Sequence, residues 1–259
     1  MNLYIITGAS RGIGANLVGE VLQHPDNAVL AVSRRGSPAT DSRVQDVRAD
    51  LAETAGQRST MQAIQAKLGE REWSKAVLIN NAGMVEPLMP VERMDLDVLA
   101  RSISLNLTAT IGLMQAFLAA SRSVPQRRII NISTGATRNP HYGWAAYCSA
   151  KIAVDMASSI AALEAAADGS GVCVTSLSPG MADTDMQDVI RSTNDADHPD
   201  AKTFRQHKAQ GTLQKPEDVA SKILALELAG KLPAGVAALA ALWKAHGDEL
   251  PRPARTLHG

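Results

Sequence analysis

Short apolar runs and longer stretches of helical periodicity alternate along most of this chain. The runs Leu3–Thr7, Ala28–Ser33, Val44–Ala49, Ala76–Asn80, Arg128–Ile132 and Val172–Ser176 read as strands. They are near-continuous rather than strictly alternating, which is the pattern of parallel strands covered on both faces. Between them, Ile13–Gln23, Arg58–Leu68, Leu96–Ala120 and Ala146–Ala166 carry apolar positions at helical spacing. Such an alternation builds a parallel sheet with right-handed crossovers and helices on both faces. The expected fold class is α/β, a doubly wound sheet in a single domain over residues 1–246, with no internal repeat and no linker. Two segments are looser. Ser178 to about Gly211 is polar, and loops at the carboxyl ends of parallel strands form ligand crevices. We expect a mobile substrate lid there rather than a disordered insertion. The tail from Gly247, with Pro251 and Pro253, is expected to be poorly ordered.

Composition narrows the class. A chain of 259 residues suits one large α/β domain, and its formal net charge of zero argues against a broad nucleic-acid or membrane surface. Cys148 and Cys173 lack metal-ligand spacing, so no metal is expected and free thiols in a reducing compartment are. No apolar run reads as long enough for a membrane span. The first strand begins near Leu3, leaving no room for a signal peptide. The expected location is cytoplasmic.

Chemistry enters directly after the first strand, at Thr7-Gly8-Ala9-Ser10-Arg11-Gly12-Ile13-Gly14. Gly8 allows a tight strand-to-helix turn, Gly12 lets a phosphate approach the backbone, and Gly14 lets helix pack on strand. The helix that follows aims its N-terminal N–H groups at a pyrophosphate. This is the dinucleotide turn of a Rossmann fold in its required strand–turn–helix context. Ser10, Arg11 and Ile13 join the glycines as candidate coenzyme contacts. The second strand ends in Ser33-Arg34-Arg35. An acidic residue there would bind a ribose hydroxyl and repel a 2′-phosphate. A guanidinium grips that phosphate with two parallel N–H bonds. Arg34, Arg35 and Arg11 therefore point to NADP(H). Asp50-Leu51 after the third strand could hold adenine, although an Asp there is often only a helix cap.

Tyr147 and Lys151 are four apart in a helical pattern and share a face. Reduction of a carbonyl produces an alkoxide that needs a proton. A nearby ammonium would lower the tyrosine pKa and make it a usable acid. Upstream, the strand ending at Ile132 runs into Ser133-Thr134, whose hydroxyls could stabilise a developing oxyanion.

Together these pieces resemble the short-chain dehydrogenase/reductase family over roughly residues 3 to 228. The matching motifs are TGASRGIG, Asp50-Leu51, Asn80-Asn81-Ala82-Gly83, Asn106, Ser133-Thr134, Tyr147-Cys148-Ser149-Ala150-Lys151 and Pro179-Gly180. The resemblance implies that Asn81, Ala82 and Gly83 stabilise the sheet and line the adenosine side. It implies that Asn106 kinks its helix and holds a water beside Lys151, and that Thr184, after Pro179-Gly180, orients the nicotinamide carboxamide. The family serine lies thirteen residues before the tyrosine, and Thr134 stands there. We take Thr134 as the hydroxyl, with Ser133 as the alternative. The stretches around Pro140–Cys148 and Pro179–Gln187 are similar to the sepiapterin and benzil reductase subgroup, whose members reduce vicinal dicarbonyls. Trp144 would then wall a substrate pocket, or simply pack. Pterin-reducing members carry a C-terminal aspartate, whereas Leu232–Leu239 contains no acid and Asp248 comes late. A diketone or general carbonyl reductase using NADPH is therefore expected ahead of a pterin reductase. A non-catalytic NADP(H)-binding redox sensor is the alternative outside catalysis. The family's dimer packs the helices Leu96–Ala120 and Ala146–Ala166, so a homodimer or homotetramer is expected.

Overall fold

The computed structural model describes residues 1–250. Seven parallel strands form one sheet in the order β3-β2-β1-β4-β5-β6-β7. They are β1 Asn2–Thr7, β2 Asn27–Ser33, β3 Val44–Arg48, β4 Lys75–Asn80, β5 Gln126–Ile132, β6 Cys173–Ser178 and β7 Gly235–Ala238. The helices are α1 Gly12–Leu22, α2 Thr54–Gly69, α3 Leu96–Ile103, α4 Ala109–Ala120, α5 Ala145–Ala167, α6 Asp185–Ser192, α7 Ala201–Ala209, α8 Pro216–Leu228 and α9 Leu239–His246. The Rossmann-type, doubly wound fold expected from the pattern is the one observed.

Successive strand residues point to opposite faces, and each face carries its own core. On one face Tyr4, Ile6, Val29 and Val77 pack with Leu17 and Val21 of α1 and Ile223 of α8. On the other, Leu3, Ile5, Leu30 and Leu78 pack with Ile64 of α2, Phe117 of α4 and Ala161 of α5. The exception is β3. It was expected to be covered on both faces, but it is an edge strand with Gln45, Asp46 and Arg48 exposed. β7 has only the four residues Gly-Val-Ala-Ala, too few and too small to read as a strand.

The stretch from Ser178 to Gly211 contains α6 and α7. Residues Gly247–Glu249 form a 3-10 turn, and Leu250 is buried against the first core. Gly247–Leu250 are the described part of the tail; the rest of it lies outside the described residues. The helical stretch Leu96–Ala120 is 25 residues long with a mean hydropathy of 1.5 over its most apolar window. Contrary to the sequence reading, it is long and apolar enough to cross a membrane. Leu113, Met114 and Phe117 of this stretch are buried in the second core.

Glu227, near the end of α8, is buried, and accepts from the Tyr4 hydroxyl at 2.8 Å. Lys75 Nζ stands 2.5 Å from its carboxylate and Arg128 Nε 3.8 Å. This ties α8 to β1, β4 and β5. Glu227→Leu would leave the tyrosine hydroxyl and two cations without their anion. It is expected to lower stability by about 3 kcal/mol or more in urea unfolding, and a change under about 1 kcal/mol would contradict a structural role.

Candidate active site

The carboxyl ends of the central strands open onto a cavity of about 750 Å³. One end is made almost wholly of backbone. Gly8 and Gly12 have φ of +69° and +56°, the left-handed region that favours glycine. A Cβ on Gly14 would stand 2.3 Å from the Gly8 carbonyl oxygen, so helix and strand meet with no space between them. No side chain caps α1. Its first-turn N–H groups have no partner within the helix and remain available to an anion. Ser10, Arg11, Gly12 and Ile13 line this end. The next strand end, at β4, is knotted to β1. The Thr7 hydroxyl accepts from the Asn81 and Ala82 N–H groups at 2.9 and 3.0 Å, and Asn81 Nδ2 donates to the Thr7 carbonyl at 3.0 Å.

The basic residues divide. Arg34 is exposed at the end of β2 and lines the cavity. Arg11 lines it too, but its guanidinium is paired with Asp185 of α6. Arg35 is exposed and does not line it. Ser33 lines the cavity while its hydroxyl accepts from Gly36 N at 3.0 Å, shaping the turn that presents Arg34. Asp50 and Leu51 also line it. Asp50 does not cap α2, whose cap is Glu53. Burial would raise its pKa, but the Ala52 N–H and Arg101 hold it below the usual carboxylate range. Arg101, on α3, also lines the cavity, and nothing in its sequence spacing singles it out.

At the other end, Ser133, Thr134, Tyr147 and Lys151 line the same cavity. Tyr147 and Lys151 lie on the buried face of α5. Lys151 Nζ donates to the Ile132 carbonyl at 2.8 Å and stands 6.0 Å from the centre of the Tyr147 ring. Burial lowers the Lys151 pKa to about 8, opposed by the negative charge of Asp155. Tyr147 is pushed up to about 12 by burial, opposed by a hydrogen bond with the Thr134 hydroxyl. The expected lowering of Tyr147 by Lys151 is thus not produced here: the ammonium is turned toward a carbonyl, and desolvation dominates. The Thr134 hydroxyl, close to the phenol, accepts from Ala136 N at 3.2 Å. Ser133 Oγ is buried without a partner.

Asn106 is fully buried in a π turn, Ser104–Thr108, that joins α3 to α4. Its carboxamide makes two bonds to Met84: Oδ1 accepts from N at 3.1 Å and Nδ2 donates to O at 2.8 Å. A Cβ on Gly83 would meet Asn106 Oδ1 at 2.9 Å and Lys151 Nζ at 3.8 Å, so Gly83 leaves room for both. Pro179, Gly180 and Thr184 line the wall after β6. The Thr184 methyl lies 3.3 Å from where a Cβ on Gly12 would be, which places it over the glycine turn.

Trp144 both packs and lines the cavity. It meets Tyr147 edge-on at 5.5 Å, stacks with Phe204 of α7 at 5.8 Å, and points its indole N–H at buried His198, 3.0 Å away. The sequence singled out neither His198 nor Phe204, because the polar stretch around them gives no helical signal. Neither Leu232–Leu239 nor Asp248 lines the cavity. Gln187 of α6 was quoted only as part of a motif, yet it lines the cavity and is buried.

Comparison with known proteins gives a consistent picture. A family model described as short chain dehydrogenase matches residues 2–195. A benzil reductase, (S)-benzoin forming, of Bacillus subtilis (strain 168) is 35% identical over 227 residues, 87% of this chain and 93% of that protein. A sepiapterin reductase of Bos taurus is 31% identical over 242 residues, 86% and 88% of the two chains. The crystal structure of the KRED1-Pglu enzyme superposes with a TM-score of 0.78 at 27% identity, covering 92% of this chain and all of that one.

The Lys151 environment has a measurable consequence. Its native pKa lies below the model-peptide value of 10.5, at about 8. The cost of the buried ammonium is full below pH 8 and is relieved as pH rises toward 10.5, where the unfolded chain still binds the proton. Wild-type stability relative to Lys151→Met should therefore rise between pH 7 and pH 9.5 in urea unfolding. A difference independent of pH would contradict the shift.

Proposed function

The chain belongs to the short chain dehydrogenase family, and we propose that it is an NADPH-dependent carbonyl reductase preferring vicinal diketones. Its family and relatives make it an oxidoreductase acting on carbonyl or hydroxyl groups. The observation that carries the reductive reading is the Tyr147 hydroxyl, with Thr134 beside it, in the cavity that begins at the uncapped helix α1.

The residues fit a dinucleotide. The close packing at Gly8 and Gly14 brings the uncapped first turn of α1 to the strand ends, where its N–H groups can meet a pyrophosphate. Asp50 and Leu51 suit the adenine, Thr184 the carboxamide and Lys151 the ribose hydroxyls. Ala82 and Gly83 line the path between the two ends. Arg34, exposed on the rim just after a strand that ends in Ser33 rather than an acid, suits a 2′-phosphate and favours NADP(H). When bound, reduced nicotinamide supplies the hydride. The Thr134 hydroxyl holds the carbonyl oxygen and Tyr147 gives the resulting alkoxide its proton.

The diketone preference rests on two supports. The relatives named as benzil reductases align over most of this chain, and the substrate end is walled by the Trp144 and Phe204 rings. The absence of an acid from Leu232–Leu239 counts against a pterin.

Two outcomes test the assignment. Tyr147→Phe should reduce kcat for benzil with NADPH by roughly a hundredfold or more. Arg34→Ala should raise the KM for NADPH roughly tenfold while changing that for NADH less than about twofold. Benzil turnover that survives Tyr147→Phe, or equal effects on both nucleotides, would contradict the respective role.

We also propose a dimer built on α5. Ile152, Met156, Ile160 and Leu163 recur at helical spacing and are 47–71% exposed, an apolar stripe larger than scattered surface residues. Light scattering should give a mass twice 27.4 kDa, and Met156→Glu with Ile160→Glu should halve it. A monomeric wild-type protein would contradict the interface.

A further inference from the structure

The stretch between α6 and α7 carries a side chain that none of the roles above uses. His198 is fully buried, and its ring meets the loop that leads into α5. Its Nδ1 stands 3.1 Å from the Tyr142 carbonyl oxygen. The Trp144 indole nitrogen lies 3.0 Å from Nδ1 and 3.1 Å from Nε2. A carbonyl only accepts and an indole N–H only donates. An imidazole with its proton on Nδ1 serves both: Nδ1 donates to the Tyr142 carbonyl, and Nε2 accepts from Trp144.

The same loop is gripped on either side of this contact. His141 Nδ1 meets Asp200 Oδ2 at 3.4 Å. Gly143, at φ +79°, lies so close to the Asp197 carbonyl oxygen that a Cβ there would collide with it. Phe204 of α7 stacks on Trp144 at 5.8 Å. Residues 197–204 thus close on residues 141–144 as a clasp, with His198 as its hydrogen-bonded centre. Trp144 stands between the clasp and the chemistry, because it lines the cavity and meets Tyr147 edge-on at 5.5 Å. A wall residue orients a substrate only when its own rotamer is locked by packing and by hydrogen bonds behind it. We propose that His198 is a positioning residue: by accepting from the Trp144 N–H it sets the plane of the indole against which an aryl group packs, and so makes the site favour aryl over alkyl diketones. This inference rests on the diketone reading above. Aromatic pairs gain from a defined offset or edge-on geometry that a small alkyl group does not use.

The test compares benzil with 2,3-butanedione, which keeps the diketone and lacks the aryl groups. His198→Phe keeps a flat ring and removes both nitrogens, and His198→Leu is a second variant without them. His198→Gln keeps a donor and an acceptor. The ratio of kcat/KM for benzil to that for 2,3-butanedione should fall roughly tenfold in the first two, mainly through the KM for benzil, and less than about threefold in the third. In Trp144→Phe, which lacks the N–H, adding His198→Phe should lower the ratio by less than about threefold. NADPH affinity, read by fluorescence titration, should stay within about twofold throughout. An unchanged ratio in His198→Phe and His198→Leu overturns the inference while leaving the diketone reading intact. A full tenfold fall on adding His198→Phe to Trp144→Phe overturns it too, because the effect then does not pass through the indole. A fall in His198→Gln as large as in the other two makes the imidazole a packing residue. A wild-type protein that reduces neither compound removes the diketone reading, and this inference falls with it.

Discussion

Strand β1 enters helix α1 through a turn with no room for side chains. Gly14 packs so closely on the Gly8 carbonyl that a methyl group there would have to displace backbone. That contact sets the distance between the helix N-terminus and the strand ends, and much of the site follows from it. Thr7, the last residue of β1, binds Asn81 and Ala82 and aligns the end of β4 with the turn. Thr184 closes over Gly12 from the far side. The result is an anion-binding surface made of N–H groups rather than charges, with Arg34 as a separate charge at the rim.

The reacting end is built on the opposite physical principle. Tyr147 and Lys151 are both buried, and burial drives each toward its neutral form. Without a ligand, the ammonium is bonded to the Ile132 carbonyl rather than directed at the phenol. The buried Asn106, bonded twice to Met84, holds the loop after β4 beside Lys151. The π turn it occupies interrupts an otherwise continuous helix at this point.

What was legible in the sequence follows from how locally each feature is encoded. The first six strands and the glycine turn are contiguous in sequence, and their periodicity and φ requirements are written there. The Tyr147–Lys151 spacing was equally plain, but its electrostatics were not. Whether an ammonium lowers a phenol's pKa depends on where both point and how deeply both are buried. β7 was missed because four small residues, Gly235–Ala238, carry no strand pattern of their own and pair only because β6 is already in place. α6 and α7 were missed because their buried faces are brief: Gln187 and Ile190 in one, Ala201 in the other. Arg35 follows Arg34 in the bend after β2, and only Arg34 lines the cavity. Arg101 meets Asp50 across 51 positions of sequence, a pairing no local pattern encodes.

The central claim is that the two ends of one cavity act together, one holding a reduced nucleotide and the other protonating a carbonyl oxygen. The most direct measurement is to incubate the protein with benzil and NADPH deuterated at both positions of the nicotinamide C4, then locate the label in the product. The account predicts benzoin carrying one deuterium, bonded to the carbinol carbon. Unlabelled benzoin, or tight nucleotide binding with no benzoin formed, would contradict it.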